Sequence, residues 1–285
     1  MAGKSLVDAL KNVLSPELLK FIPKSFDIVG SRGKAVAIIE IPDELEPYKV
    51  VIAEKLMELH KNVKTVLRKA SERKSIFRVR EHELLLGDPD TEVVHKEYGC
   101  LFKLDPQKVY FSPRESTERL RIAEKVKPNE DVLVMFGGVC PYSIIIAKKQ
   151  PIVKKILTVE LNPVAHNYCL ENVKLNKVND KVHPILGDVK DVCPKFKEEF
   201  DRVVMPLPKG GYHYLDLAIS CLKNHGFLHF YHWASEEDLF SEAEKLVKEA
   251  AKKLGRDFKI LDKRKVLPYG PRMWKIRIDV EIFKV

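Results

Sequence analysis

The chain has 285 residues, 45% of them apolar, and 50 lysines and arginines against 41 aspartates and glutamates leave a net charge of +9. That length builds one large domain, or a large and a small one, and the apolar fraction supports a packed core, which excludes a disordered or low-complexity chain. No run approaches 18 apolar residues, and Met1-Ala2-Gly3-Lys4 leads into an amphipathic stretch, which argues against a membrane span or a secretory signal and for a cytoplasmic protein. The five cysteines (Cys100, Cys140, Cys169, Cys193, Cys221) are odd in number and never at C-x-x-C spacing, so neither a disulfide framework nor a metal site is indicated and a reducing cytosol fits.

Residues 5–20 read as a helix that Ser5 caps, with Leu6, Leu10, Val13 and Leu14 as its stripe and Ser15-Pro16 interrupting or restarting it. A strand is expected over 35–41, between Gly33 and Pro42, then a helix over 48–60 with Pro47 at its start and Val51, Ile52, Leu56 and Leu59 at helical spacing. Short strand candidates follow at 65–68, 83–86, 92–95, 101–104 and 109–111. Residues 61–80 carry eight basic side chains (Lys61, Lys64, Arg68, Lys69, Arg73, Lys74, Arg78, Arg80) against one acid, Glu72. A solvated basic face and a phosphate-tracking patch both account for such a run. The expected organisation is a helical segment over 1–25, an α+β module over 26–112 and a larger domain over 113–285.

Ser112-Pro113-Arg114-Glu115 starts a helix to about residue 126, with serine at the cap, proline in the first turn and glutamate at the third position. From there strands and helices alternate: strand 132–136, helix 142–149, strand 156–160, helix 163–176, strands 182–186 and 202–205, helix 210–223, strand 227–231, helix 236–253. Two late strands, 258–266 and 274–283, flank Pro268-Tyr269-Gly270-Pro271. Five βα repeats closed by a hairpin match a Rossmann-like, seven-stranded class I methyltransferase sheet whose last strand is antiparallel.

The chemistry is carried by the first βαβ unit of that domain. An apolar strand breaks at Phe136 into Gly137-Gly138-Val139-Cys140-Pro141, and the next strand ends on Glu160, about two dozen residues later. Adjacent glycines let a backbone approach a ligand, a following helix N-terminus offers free N–H groups, and a strand-end acid is placed to hold ribose hydroxyls. The turn is not G-x-G-x-x-G, which disfavours a dinucleotide. A second acid, Asp188, closes the next strand, a spacing that suits S-adenosylmethionine, although any doubly wound domain has glycine turns and strand-end acids. Glu118, in the helix after Ser112, reads either as a solvated carboxylate paired with Arg114 or Arg121, or as a general base. Arg78 or Arg80 reads as a holder of negative charge on a purine oxygen, or as a phosphate contact. Met205-Pro206-Leu207-Pro208-Lys209-Gly210-Gly211 is either a rigid loop beside a methyl donor or ordinary turn punctuation. No carboxylate or cysteine sits beside His229 and His232 at ligand spacing, so no metal is expected.

With these stretches together the chain resembles the archaeal and eukaryotic tRNA guanine-37 N1-methyltransferase family, from Ser25 to the end. The matching segments are Ile41-Pro-Asp-Glu-Leu-Glu-Pro-Tyr-Lys49, Val63-Lys-Thr-Val-Leu-Arg-Lys-Ala70, Phe77-Arg-Val-Arg-Glu81, Val109-Tyr-Phe-Ser-Pro-Arg114, Thr117-Glu-Arg119, Leu161-Asn-Pro163 and Asn172-Val-Lys-Leu-Asn-Lys177. The resemblance implies a soluble, monomeric archaeal enzyme that binds the anticodon stem-loop of tRNA and uses S-adenosyl-L-methionine. It implies Glu118 as general base for the N1 proton and Arg78 on the O6 side, with Arg80 its neighbour. Phe136, Gly137, Gly138, Val139, Arg119, Glu160, Leu161, Asp188, Val189 and Pro206 fall on cofactor positions; Arg80, Arg114, Pro208 and Lys209 fall beside the substrate. Departures from the family pattern are Val134 for an aspartate, Gly137 for an alanine, Cys140 for a glycine and Pro206 for a loop asparagine. The small N-terminal domain with which many archaeal members hold the tRNA elbow is expected to be missing. Three other readings remain: a wyosine-pathway aminocarboxypropyltransferase, against which Thr117-Glu-Arg119 and Pro208-Lys209 speak, a dual enzyme that also methylates a wyosine intermediate, and a catalytically weak tRNA-binding module.

Overall fold

The computed structural model describes residues 5–70 and 79–284. Its chain divides into two compact units, Met1–Pro113 and Arg114–Val285.

In the first unit, α1 (Leu6–Leu10) is closed by a Ser5/Asp8 capping box, and Ser15 caps α2 (Pro16–Leu19). The helix expected over 5–20 is broken at Ser15-Pro16, as its sequence indicated, because Ser15 caps a new helix there. Strands β1 (Asp27–Gly30) and β2 (Ala35–Ile39), helix α3 (Lys49–Leu59), and strands β3 (Val63–Lys69) and β4 (His82–Gly87) follow. Their sheet runs β1-β2-β3-β4, with β2 and β3 parallel across α3 and both outer pairs antiparallel. Leu6, Leu10 and Leu14 pack with Ile52 and Leu56 of α3 against Ala37, Ile39 and Val66. A separate hairpin joins β5 (Val93–Glu97) to β6 (Cys100–Leu104). Residues 109–111 form no strand, since the N–H groups of Lys108 and Val109 both turn back to the Asp105 carbonyl. Pro47 lies inside a 3-10 turn, Asp43–Tyr48, ahead of α3.

The second unit is built from α4 (Ser116–Lys125), β7 (Asp131–Met135), α5 (Pro141–Lys149), β8 (Lys155–Glu160), α6 (Pro163–Leu175), β9 (Val182–Leu186), α7 (Val189–Val192), β10 (Phe200–Met205), α8 (Leu215–Cys221), β11 (Leu222–Ser235), α9 (Ser241–Lys253), β12 (Asp257–Gly270) and β13 (Met273–Phe283). The seven strands are ordered β12-β13-β11-β10-β7-β8-β9. Neighbours from β11 to β9 are parallel, and β13 is antiparallel to both β11 and β12. This is the expected seven-stranded α/β sheet with a reversed last strand. Its direction of winding switches between β7 and β10, which opens a crevice at the carboxyl ends of the strands. Helices α8 and α9 close one face through Leu215, Ile219, Val247 and Ala251, packed on Leu133, Val203, Leu228 and Ile278.

Several boundaries move. The helix after Ser112 opens as a 3-10 turn, Pro113–Glu115, and Glu115 rather than Ser112 occupies the α4 cap position. The helix expected over 210–223 likewise opens as a 3-10 turn, Gly211–Tyr214. The strand expected over 227–231 extends to fourteen residues because β13 pairs with it from His225 to Ser235. The cysteine count indicated no disulfide, yet Cys140 and Cys169 are joined, their Cα atoms 5.0 Å apart. They are 29 residues apart in the chain, Cys140 in the turn before α5 and Cys169 within α6, so the fold and not their spacing brings them together.

One buried polar chain threads the inner strands. Glu130 accepts Arg202 Nε and Nη2 at 2.7 and 2.8 Å, and Arg202 Nη1 meets His229 Nε2 at 2.8 Å. His229 Nδ1 is 2.6 Å from Asp279 Oδ1, which also forms an ion pair with the Arg277 guanidinium, its Nε 2.8 Å away. Burial holds the His229 imidazole towards its neutral form, so it donates to Asp279 and accepts from Arg202. Burial alone raises the Asp279 pKa, but His229, Arg277 and Lys125 outweigh it and bring the value to about 2, from 3.8. A folded pKa below the unfolded one contributes stability that is present above about pH 4 and lost as the pH falls towards 2. The expected contribution is about 2 kcal/mol. Urea unfolding followed across that window should show a shallower loss in Asp279→Asn than in the parent protein.

Candidate active site

At the carboxyl edge β7 ends on Met135 and the chain turns sharply, with positive φ at Phe136, Gly138 and Cys140 of 58°, 57° and 66°. Gly137 is required by space: a Cβ there would lie 2.2 Å from Thr158 Cγ2. Its N–H donates to the Val159 carbonyl at 2.9 Å, so the turn is laced to the end of β8. The Glu160 carboxylate is then fixed by two backbone donors, Gly138 N to Oε2 and Asn162 N to Oε1, each at 2.7 Å. Burial pushes its pKa up and those N–H groups oppose the rise. On the other side of the turn, Asn172 Nδ2 donates to the Val139 carbonyl at 3.2 Å and the Cys140–Cys169 bond ties the start of α5 to α6.

Asp188 ends the next strand and caps α7 by accepting Lys190 N–H at 2.9 Å, with Val189 buried behind it and Leu161 38% exposed. The acids and the glycine turn thus converge on adjacent parallel strands, as the sequence spacing required. The donor set fits a nucleoside. Beyond the backbone N–H groups that it accepts, the Glu160 carboxylate keeps lone-pair capacity for ribose hydroxyls, and the Gly137-Gly138 backbone presents no side chain in the way. Met205 ends β10, and the loop after it carries half-buried Pro206, buried Pro208 and exposed Lys209 before Gly210 turns at φ 77°.

Glu118 differs most from the bland sequence reading. It is 3% exposed, in the first turn of α4. Oε1 accepts Arg277 Nη1 at 2.6 Å and the Tyr231 hydroxyl at 2.7 Å, while Oε2 accepts Arg121 Nη1 at 2.7 Å. Arg121 is the helix partner foreseen; Arg277 and Tyr231 come from β13 and β11 and were not. Tyr142 on α5 donates to the Tyr231 hydroxyl at 3.3 Å, and burial pushes both phenols far up, keeping them protonated. Beside them Lys275 pairs with Glu115 at 2.9 Å, both buried, although burial lowers the lysine pKa. Arg119 is also buried, on the same helix. Arg114 is exposed in the 3-10 turn before it. Arg80 belongs to the first unit, its Nη1 3.9 Å from Glu40 Oε1. Arg78 lies outside the described residues.

The missed partners carried a signal. Lys275, Arg277 and Asp279 alternate with Ile276, Ile278 and Val280 on a strand flanked on both sides, so charges at period two had to be buried and paired.

The strand order and the glycine-acid edge define a class I transferase that uses S-adenosylmethionine. Comparison with known proteins narrows this. Residues 93–261 match the TRM5/TYW2 methyltransferase domain and residues 6–91 the TYW2 N-terminal domain. A Pyrococcus abyssi protein named tRNA (guanine(37)-N(1))-methyltransferase Trm5b is 42% identical over 93% of this chain and 77% of its own. A Pyrococcus horikoshii tRNA(Phe) (4-demethylwyosine(37)-C(7)) aminocarboxypropyltransferase is 33% identical over 97% and 96%. The crystal structure of Pyrococcus horikoshii TYW2 in complex with MeSAdo superposes with a TM-score of 0.81 at 32% identity, covering 98% of each chain. The chain belongs to the TRM5/TYW2 methyltransferase family.

Gly137→Ala is expected to displace the turn and Glu160→Gln to replace a charged acceptor by a neutral one. Each should weaken S-adenosylmethionine binding about tenfold or more, the scale of one charge-assisted hydrogen bond, as read by calorimetry on protein that unfolds at the parent temperature.

Proposed function

We propose that this enzyme transfers the methyl group of S-adenosylmethionine to N1 of guanosine 37 in tRNA. The observation that carries the reading is Glu118, a carboxylate held at the face of the transferase sheet by partners from three elements; the 42% identical Trm5b supports it. When bound, the cofactor supplies a sulfonium methyl for direct displacement. Glu160 and Asp188 hold its ribose and adenine end in this reading, and the Gly137-Gly138 turn lets it approach. Residues 26–112 serve as the tRNA-binding module for the anticodon stem-loop and residues 113–285 as the transfer domain.

The base at position 37 must leave its stack to reach such a pocket. As N1 bonds to the methyl carbon and the carbon–sulfur bond breaks, the N1 proton passes to Glu118 Oε2. Arg277, wholly buried, and Tyr231 keep Oε1 fixed, whereas Arg121, with a side chain 29% exposed, is the partner that swings off Oε2 to admit the base. Arg78 is assigned to the charge that develops on O6, with Arg80 next to it, while Arg114, Pro208 and Lys209 border the nucleotide. Pro206 has no amide to offer, so the loop contributes rigidity in place of the family's asparagine.

A second reading has an observation of its own: the aminocarboxypropyltransferase of Pyrococcus horikoshii matches this chain over nearly its full length. Two measurements separate them. Single-turnover transfer from methyl-labelled donor should label a transcript with guanosine 37 and leave one with adenosine 37 unlabelled. Label on neither, with transfer of the aminocarboxypropyl group to tRNA bearing 4-demethylwyosine, would establish the second reading instead. For the base, Glu118→Gln should slow methyl transfer by about a hundredfold or more while donor affinity stays within twofold. A wild-type rate in that variant would remove Glu118 from the chemistry.

A further inference from the structure

Strand β11 outlasts its parallel neighbour. Met205, the last residue of β10, pairs with Phe230, and β11 continues from Tyr231 to Ser235 against β13, with Trp233 opposite Lys275 and Ser235 opposite Met273. Alternate residues of a strand share a face, so Trp233 stands on the same face as Tyr231, about 7 Å nearer the carboxyl edge. Tyr231 is the residue whose hydroxyl reaches Glu118. At the edge Trp233 meets Tyr269 from the end of β12, ring centroids 3.9 Å apart and planes at 42°. Tyr269 is 59% exposed. Arg264 is the cross-strand partner of Arg277 and so shares this face, with a side chain 40% exposed, and Arg272 is exposed in the turn that closes the hairpin.

An aromatic pair, one ring largely open to solvent, with two arginines on the same hairpin, is the arrangement that single-stranded RNA recognises. Every base has a π-face to stack, and the backbone phosphates take the cations. A buried core pair would not leave one ring open, and a plain hydrophobic patch would not carry the arginines. We propose that Trp233 and Tyr269 form a stacking platform for the nucleobase next to the target guanine, with Arg264 and Arg272 on the adjoining phosphates. The proposal rests on the tRNA reading above and adds where the flanking nucleotide sits. It also accounts for the overhang of β11 and the β12–β13 hairpin beyond β10, which the cofactor site does not need.

The test uses the whole chain. The protein has two tryptophans, so Trp274→Phe leaves Trp233 as the sole reporter. Titrating this variant, saturated with S-adenosylhomocysteine, with an anticodon stem-loop RNA bearing guanosine 37 should quench its emission. Trp233→Ala and Tyr269→Ala should each raise the KM for that RNA about tenfold, the scale of one lost base–aromatic stack, with the KM for S-adenosylmethionine unchanged and Trp233→Phe restoring most of the loss. An unquenched Trp233, with both alanine variants methylating the RNA at the parent KM, overturns the platform and leaves the methyltransferase reading intact. Quenching by RNA that receives no methyl group sustains the platform and overturns that reading instead.

Discussion

The second unit depends on how one guanidinium is satisfied. Arg277 has no exposed surface and a charge it cannot lose, and an unpaired charge in such a place costs several kcal/mol. Three carboxylates answer it: Glu118 at 2.6 Å, Asp279 at 2.8 Å and Asp262 at 2.9 Å. They come from α4, from its own strand and from the edge strand. The helix that carries Glu118 is therefore pinned to β13, the strand inserted last and in the opposite direction. The direction of the constraint matters. If Glu118 were held by α4 alone, a turn of a ten-residue helix would set its position; held from the sheet, it is placed by two paired strands, β11 and β13. The Lys275–Glu115 pair one step nearer the edge repeats the device, clamping the start of the same helix.

The cofactor edge is built by a different economy. Among the described residues no buried charge pair holds Glu160. Two backbone N–H groups do, one from the glycine turn and one from the start of the α6 segment. That leaves the acid oriented by atoms with no side-chain freedom, and places the burden on a backbone that passes through three positive φ values within five residues. Such a turn persists only where its surroundings over-determine it. Here Val159 holds it from β8, while Asn172 and the Cys140–Cys169 bond both hold it from α6. The left-handed conformation of Cys140 is thus stabilised from its own side chain, through the sulfur bond to α6.

Much of this was legible in the sequence, for a physical reason in each case. Parallel inner strands are apolar on both faces, so β7 and β8 stood out as continuous runs, and the residues that close them, Gly137 and Glu160, followed from the turn and the strand end. The elements that misread are those whose bounds are set by partners far along the chain. β11 runs past its apolar run because β13 pairs with it from His225 to Ser235, and Val109 closes a turn on the Asp105 carbonyl, so no strand forms over 109–111. Glu118 was legible as a helix residue and not as a buried one, since its burial depends on Arg277, 159 residues away. The Cys140–Cys169 pair was invisible for the same reason: spacing rules detect local ligands, not a contact between a turn and a helix 29 residues on.

The alternation of β11 and β13 ties these features together. Along one face of β11 lie His229, Tyr231 and Trp233; along the facing strand lie Asp279, Arg277 and Lys275, each opposite one of them. The pairing at the amino end joins His229 to Asp279 and is purely structural, sealed by Arg202 and Glu130. The middle pair, Tyr231 and Arg277, converges on the buried carboxylate of Glu118. The last, Trp233 opposite Lys275, stands at the carboxyl edge. A two-residue repeat thus carries the chain from a buried anchor through the Tyr231–Arg277 pair to a half-buried ring at the strand end within three steps. A shift of register by one residue would turn all three to the opposite face, towards α8 and α9. The buried charges, costly as they are, make that slip prohibitive, since Arg277 and Asp279 would enter a cluster made of Leu228, Phe230, Ile276 and Ile278. The polar ladder that specifies the register of the sheet is the same ladder that fixes the Glu118 carboxylate.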